Sequence, residues 1–469
     1  MLFNSFEFIL VFLPLVLGVN FFLNSRRLTV ASRAWLVFAS FFFYGWWNVA
    51  YLPVLLGSVL FNFSFGSALS SSRALEVDSG RRRRKLVLVL GIAANMALIG
   101  YFKYFNFLVT NMGRIFPMGM ELHSIVLPLG ISFFTFQQIT YLVDSYHGKT
   151  HEYDFLNYAL FVSFFPQLIA GPIVHHSEMM PQFARARNKI FHYDNVARGI
   201  ALFSMGLAKK VLIADKLSAY VHACFDVADK LVFDQSWAAS LAYTLQLYYD
   251  FSGYSDMALG AALLFNIRIP VNFYSPYKAL NIREFWRRWH ITLGRFLQDY
   301  IYIPLGGSRS GRGRTYLNLL ATFFICGLWH GAGWLFIIWG VMHGLALVVH
   351  RLWERTGLRM PKALAWALTF GFVNVMWVVF RATSPEDALM VLKGMAGLNG
   401  FDADFYVMKL GNWEERFMGV AFLMLFARNS IQIKEGLRPT WRMCLFVMLL
   451  LGASMMEMSS VSEFLYFNF

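Results

Sequence analysis

His330 stands in a stretch with no charged neighbours. The run Leu317 to Trp339, LNLLATFFICGLWHGAGWLFIIW, holds no Asp, Glu, Lys or Arg and is long enough to cross a bilayer as one helix. An ionisable side chain at that depth is costly, so it marks a functional site by default. Imidazole exchanges its proton near neutral pH. Desolvation lowers its pKa and keeps it in the base form, able to take a proton from a hydroxyl within hydrogen-bond reach. Gly331 and Gly333 beside it permit an irregular path and close backbone approach.

His290 is the second imidazole of interest. It lies in FWRRWHITLGRFLQDY, with Arg287, Arg288 and Arg295 close by. Those cations suit an anionic substrate such as a phosphorylated cofactor, whereas the run Arg81 to Arg84 reads as topological. Trp286, Trp289 and Trp329 line a cavity or simply pack. His290 orients His330, binds substrate or relays the proton. A further polar cluster is QLYYDFSGYSDMALG, Gln246 to Gly260, where Asp250 and Asp256 interrupt apolar sequence. It reads as a polar funnel, or as a network tied to an imidazole or Arg partner.

His343 follows His330 by 13 residues. On one straight helix that is about 20 Å away and on nearly the opposite face, so the two are not expected to share a ligand unless the helix breaks. His147 with His151, and His175 with His176, have loose metal-like spacings. No Cys or Glu cluster supports a zinc site, and no metal is expected. Cys224, Cys326 and Cys444 each sit in apolar sequence and suggest no disulfide framework.

The elements that must position these groups are membrane helices. Hydrophobic residues make up 58% of the 469 and charged ones 14%, against about 25% charged in globular chains. A soluble fold has nowhere to bury that surface. The apolar runs are continuous rather than alternating, which excludes a β-barrel. The expected class is all-α, polytopic, with about ten to thirteen membrane helices plus re-entrant or interfacial ones. No cleavable signal peptide is expected, because the first apolar run lacks a basic leader.

Early spans are expected over Glu7 to Leu23, Trp35 to Leu55, Val54 to Leu69 and Leu86 to Val109. Arg26, Arg27 and Arg33 follow the first; Arg73 and Arg81 to Lys85 follow the third. Positive loops face the cytoplasm, which places the N-terminus outside. Ile125 to Tyr141 and Phe155 to Ile173 carry Pro, Gly and Gln, and are expected as interior or re-entrant helices. Ile200 to Phe225, with Lys209, Lys210, Asp215 and Lys216, is expected partly at an interface. Ser236 to Tyr249 and Met257 to Ile267 are expected as two pieces split by a turn. Arg283 to Leu305 suits amphipathic surface helices. Ala363 to Phe380, Phe417 to Phe426 and Trp441 to Met455 complete the spans. No soluble-domain boundary is visible. One domain is expected, with N-terminal spans over 1–124, core segments over 125–350 and C-terminal spans over 351–469. The net charge of +14 reads as positive-inside topology with anionic lipid, or in part as substrate binding. Arginines set in membrane sequence exclude nucleic acid as a partner.

These segments resemble the membrane-bound O-acyltransferase family. The likeness is carried by LPLGISFFTFQQITYLVD (Leu127 to Asp144), FFPQLIAGPI (Phe164 to Ile173), the Gln246 to Gly260 cluster, EFWRRWHITLGRFLQDYIYIPLGG (Glu284 to Gly307) and GLWHGAGWLFIIWGVMHG (Gly327 to Gly344). FYGWWN at Phe43 and GYFKYFNF at Gly100 fit as well. The resemblance is strongest to the branch that O-acetylates alginate; other members acetylate cellulose or peptidoglycan, and a more distant one transfers D-alanine to teichoic acid. It implies that His330 is the family's invariant His and His290 its second. It implies a multi-pass protein of the bacterial inner membrane with a central cavity or tunnel. A cytoplasmic acetyl donor, here expected to be acetyl-CoA, would be a substrate, with no permanently bound cofactor. A periplasmic hydrolase-like acetyltransferase and a polysaccharide synthase or export complex are the implied partners. Alginate or cellulose is the expected polymer and peptidoglycan the alternative. A transporter or scaffold without chemistry is the rival, since broken helices also mark transporters.

Overall fold

The computed structural model describes residues 1–71, 78–115, 125–150, 152, 154–225, 231–401, 412–438, 440–458 and 464–465. Among these residues every regular element is helical. Five helices are long and apolar enough to cross a membrane: Glu7–Ser25, Val49–Ser70, Gly80–Ile115, Trp334–Thr356 and Lys362–Arg381. Leu86, Val89, Leu90, Leu345, Val349 and Leu364 stand exposed on them, as lipid-facing side chains should.

The chain forms two compact units. The first comprises Met1–Phe203 with Met257–Pro270, and the second Ser204–Asp256 with Val271–Phe469. In the first, polar groups are matched inside the protein because lipid offers them nothing. Asn62 and Asn95 exchange amide hydrogen bonds of 3.1 and 2.7 Å between neighbouring helices. The helix Ile131–Tyr146, which carries Gln137 and Gln138, is almost wholly buried, and Phe155–Ser163 is buried from Tyr158 onward. The Gln137 and Gln167 amides both donate to the Phe161 carbonyl, each at 2.7 Å. Gly130 begins the first of these helices at φ 70°. A Cβ there would fall 2.7 Å from the Ile169 carbonyl oxygen, so only glycine fits.

In the second unit three expectations are corrected. First, no turn splits the Gln246 to Gly260 cluster, which lies within one continuous helix, Phe233–Leu264. Gly253 lies against the Gly206 carbonyl oxygen, where a Cβ would stand 2.7 Å away. Its role is close packing, not a turn. Second, the Leu317 to Trp339 window is not one helix. Arg312–His330 ends at His330, and Trp334–Thr356 starts after the extended Gly331 and Gly333. The two helices fold back on each other through glycines. A Cβ on Gly327 would fall 2.2 Å from the Phe336 oxygen, and one on Gly340 2.3 Å from the Phe323 oxygen. Gly340 and Gly344 have the small-xxx-small spacing of close membrane-helix crossings. Third, Arg283 to Leu305 does not use its apolar face on lipid. It forms Ile282–Trp286, Ile291–Leu297 and a π-turn, Gln298–Tyr302. Trp286, Trp289, Leu293, Phe296 and Leu297 are buried in protein.

Candidate active site

The hairpin turn decides where His330 sits. It is the last residue of its helix, 3% exposed, within the second unit. Its ring meets Trp329 at 4.8 Å, Trp339 at 5.0 Å and Phe380 at 5.3 Å between centroids. The helix C-terminus presents backbone carbonyls that favour a cation. An imidazole that gains a proton there is stabilised at the moment it becomes charged.

His290 reaches the same aromatic cluster from another element. Its ring lies 6.0 Å from Trp329 and 4.9 Å from Phe251, and it is fully buried. It occupies the N-cap of Ile291–Leu297 with φ 44° and ψ 53°, a left-handed conformation that costs a non-glycine residue about 1–2 kcal/mol. Surrounding hydrogen bonds enforce it. Ile291 N donates to the Asn272 carbonyl at 3.0 Å. Thr292 donates through N at 3.2 Å and Oγ1 at 2.7 Å to Asn272 Oδ1. Tyr274 N donates to the Arg288 carbonyl at 3.0 Å. Strain held this way clusters at functional sites. Burial pushes the His290 pKa down to about 3, so the ring is neutral at physiological pH.

His343 contradicts its expected separation from His330. The helix breaks between them, and both rings stand against Trp339, at 4.7 and 5.0 Å. Trp286 Nε1 donates to His343 Nδ1 at 3.2 Å. The break that the sequence left open is the one the structure shows, with helices ending at His330 and restarting at Trp334. Gly331, Gly333 and the Gly340/Gly344 spacing were the available signals. Trp289 packs between Phe273 at 5.0 Å and Trp377 at 4.9 Å, deep in the same aromatic mass.

The aspartates pair with lysines, not with an imidazole or an arginine. Lys210 Nζ lies 2.7 Å from Asp250 and 2.9 Å from Asp215. Lys209 Nζ lies 2.6 Å from Asp256 and donates to Ser430 Oγ at 2.9 Å, and that hydroxyl donates in turn to Asp256. Both lysines open a π-turn, Lys209–Ala214. Lys210 is 3% exposed, whereas Lys216 in the same stretch is exposed and pairs with Glu457. Asp250 adjoins Phe251, the ring against His290, and also accepts from Leu465 N at 3.0 Å. Of the arginines, Arg287 is exposed, Arg295 is half-buried, and Arg288 donates to Glu284 at 2.6 Å.

A crevice of about 610 Å³ runs beside the cluster, walled by Met342, Leu345, Val349, Trp353, Leu368 and Phe372 among others. Phe372 also meets the His343 ring at 5.2 Å. Among the described residues no group of three or more His, Cys, Asp or Glu is placed to hold a metal. His175 and His176 pair with Asp144 and Glu152, at 3.4 and 3.2 Å. His151 lies outside the described residues.

Comparison with known proteins adds an independent line. The family model for the membrane-bound O-acyltransferases matches residues 121–385. The chain is 45% identical to the peptidoglycan O-acetyltransferase of Helicobacter pylori, over 100% of this chain and 98% of that protein. It is 39% identical to the probable alginate O-acetylase of Pseudomonas aeruginosa, over 84% of this chain and 75% of that protein. It is 25% identical to the teichoic acid D-alanyltransferase of Bacillus subtilis, over 55% and 69% respectively.

Proposed function

The chain belongs to the membrane-bound O-acyltransferase family, and from that premise we propose that it moves acetyl groups from a cytoplasmic thioester towards an extracytoplasmic glycan, with His330 as general base. The observation that carries this reading is the placing of His330 at a helix end inside a buried aromatic cluster that also holds His290, with Trp329 touching both.

The proposed step balances simply. The acceptor hydroxyl oxygen attacks the thioester carbonyl carbon, and His330 takes the hydroxyl proton. The tetrahedral intermediate collapses with cleavage of the C–S bond. The proton returns from His330 to the leaving sulfur, giving a free thiol and an acetyl ester. A positioned base of this kind contributes about 10²–10⁴-fold. His290, neutral and locked in position, orients the donor or His330. Acetyl-CoA is the proposed donor, a substrate and not a resident cofactor. Arg287 is exposed and Arg295 half-buried, which suits them to its phosphates. Asp250 and Asp256 are better read as anchors for the lysine pair than as donor contacts.

Peptidoglycan moves ahead of alginate and cellulose as the proposed polymer, because over the whole chain the identity is 45% to the peptidoglycan-acetylating relative and 36% to an alginate-acetylating one. The alginate relatives keep that polymer as a second reading. We propose an inner-membrane location with the N-terminus periplasmic, from the positive loops, and a periplasmic transferase partner that completes transfer to sugar. Base-labile acetate on purified peptidoglycan and on exported polysaccharide, measured with and without the gene, tests the polymer. Release of CoA thiol from acetyl-CoA by purified protein supplied with a glycan acceptor separates an enzyme from a transporter or scaffold. A protein that never releases thiol contradicts this reading.

A further inference from the structure

Two buried N–H groups in the aromatic cluster around Trp339, which His330 also contacts, have no acceptor among the described residues. One is Nε1–H of Trp339 and the other belongs to His343. Both side chains are fully buried. The state of His343 follows from its neighbour. An indole nitrogen only donates, and Trp286 Nε1 donates to His343 Nδ1. Nδ1 therefore carries no proton. The ring is neutral with its hydrogen on Nε2, and that is the atom left without an acceptor. Buried donors in folded proteins almost always find an acceptor, and each exception requires an explanation.

The explanation lies in their neighbourhood. The Trp339 ring is within 4.7 Å of His343 and 5.0 Å of His330. Phe323, Phe372 and Phe380 close the surroundings with hydrocarbon. No described carboxylate contacts either donor. What such a pair lacks is a ligand oxygen that gains negative charge. Oxyanion stabilisation uses preorganised donors of this kind, which are strongest where water is excluded.

We propose that His343 Nε2–H and Trp339 Nε1–H donate to the acyl carbonyl oxygen of the bound thioester, and that Trp286 fixes the His343 tautomer that makes this possible. The proposal rests on the reading of His330 as the base at the same centre. When the acceptor oxygen bonds to the carbonyl carbon, the C=O electron pair moves onto the carbonyl oxygen. The two N–H groups hold that oxyanion until it re-forms C=O and expels the thiolate. His343 is then a catalytic residue and Trp286 a positioning residue.

The test uses full-length protein in detergent or liposomes, with acetyl-CoA as probe, a glycan oligosaccharide supplying the acceptor hydroxyl, and thiol release as readout. Trp339→Phe and His343→Phe keep a ring and lose the donor. Each should lower kcat about 10²–10³-fold while KM for acetyl-CoA changes by less than about threefold, because the donors act on charge that develops after binding. His343→Gln places an amide N–H near the lost Nε2 and should recover most of the rate. Trp286→Phe frees the tautomer and should lower kcat with the same KM signature. Unchanged kcat in Trp339→Phe and His343→Phe overturns the proposal. So does a loss confined to KM, or a His343→Phe loss that Gln does not restore at matched melting temperature. His330→Ala separates the two readings. If it keeps full activity the base assignment fails, whereas the donor variants are judged on their own kcat. If it is inactive while both donor variants are normal, only the present proposal fails.

Discussion

Lys210 and Asp250 meet at 2.7 Å with almost no exposure of either side chain. Such a pair recovers its desolvation cost only while both members and their hydrogen bonds are present. Asp215 at 2.9 Å and the Leu465 amide at 3.0 Å complete the set. Lys210→Ala or Asp250→Ala alone should cost about 3–5 kcal/mol, read as a large drop in melting temperature in detergent. The double change Lys210→Met with Asp250→Leu should cost much less than the sum of the two single losses. Additive losses would show that the two charges do not depend on each other.

The glycines of the hairpin make the second prediction. Gly340→Ala drives a Cβ to 2.3 Å from the Phe323 carbonyl oxygen, a backbone atom that cannot swing away. The helices must separate, which moves Trp339 away from His330. We expect loss of acetyl transfer and a lowered melting temperature. Gly371→Ala, in open space on the next helix, should leave both within experimental error. Equal effects of the two substitutions would remove the hairpin from the account.

His290 gives opposite expectations for stability and activity. Its φ of 44° is unfavourable for any residue with a Cβ. His290→Gly relieves about 1–2 kcal/mol of backbone strain, against a cavity left by the missing ring. His290→Asn keeps a residue type tolerant of that conformation and isolates the loss of imidazole. Both variants should transfer acetyl groups far more slowly, while His290→Asn melts close to the parent protein. An active Asn variant would reduce His290 to a packing role.

Stability should also depend on pH through His290. Burial holds its pKa near 3, below the ordinary 6.5. Between those values the unfolded chain takes up a proton that the folded chain refuses. The contribution is complete above about 6.5 and declines as pH falls towards 3, by up to about 1.4 kcal/mol per pH unit. His290→Asn should flatten the acid side of the stability curve by that slope. An unchanged slope would show that the ring is accessible to protons in the folded protein.

Much of the architecture was legible in the sequence because hydropathy reports lipid exposure directly. Glu7–Ser25 and the Leu86 to Val109 part of Gly80–Ile115 follow from apolar runs and the arginines beside them. Ile131–Tyr146 was recognisable as interior from Gln137 and Gln138, which lipid would not tolerate. The errors fall where glycine and charge have two meanings. Gly253 was taken for a turn and serves as a contact, because spacing alone does not reveal that Gly206 lies opposite. Spacing alone does not show that Lys209 and Lys210 are buried against Asp256 and Asp250, which lie 40 or more positions along the chain. His330 and His290 were identified as candidates by residue type and motif. His343 could approach His330 only through a helix break, and whether one occurs is not written in the spacing, so the aromatic route from His330 through Trp339 to His343 emerged only from the packing.

The central claim is that His330 carries the proton in acetyl transfer. The most direct measurement is the rate of thiol release from acetyl-CoA by purified His330→Ala and His330→Gln in liposomes, at protein levels and melting temperatures matched to the parent. The account predicts a fall of about 10²–10⁴-fold in both. Release at the parental rate from either well-folded variant would contradict it.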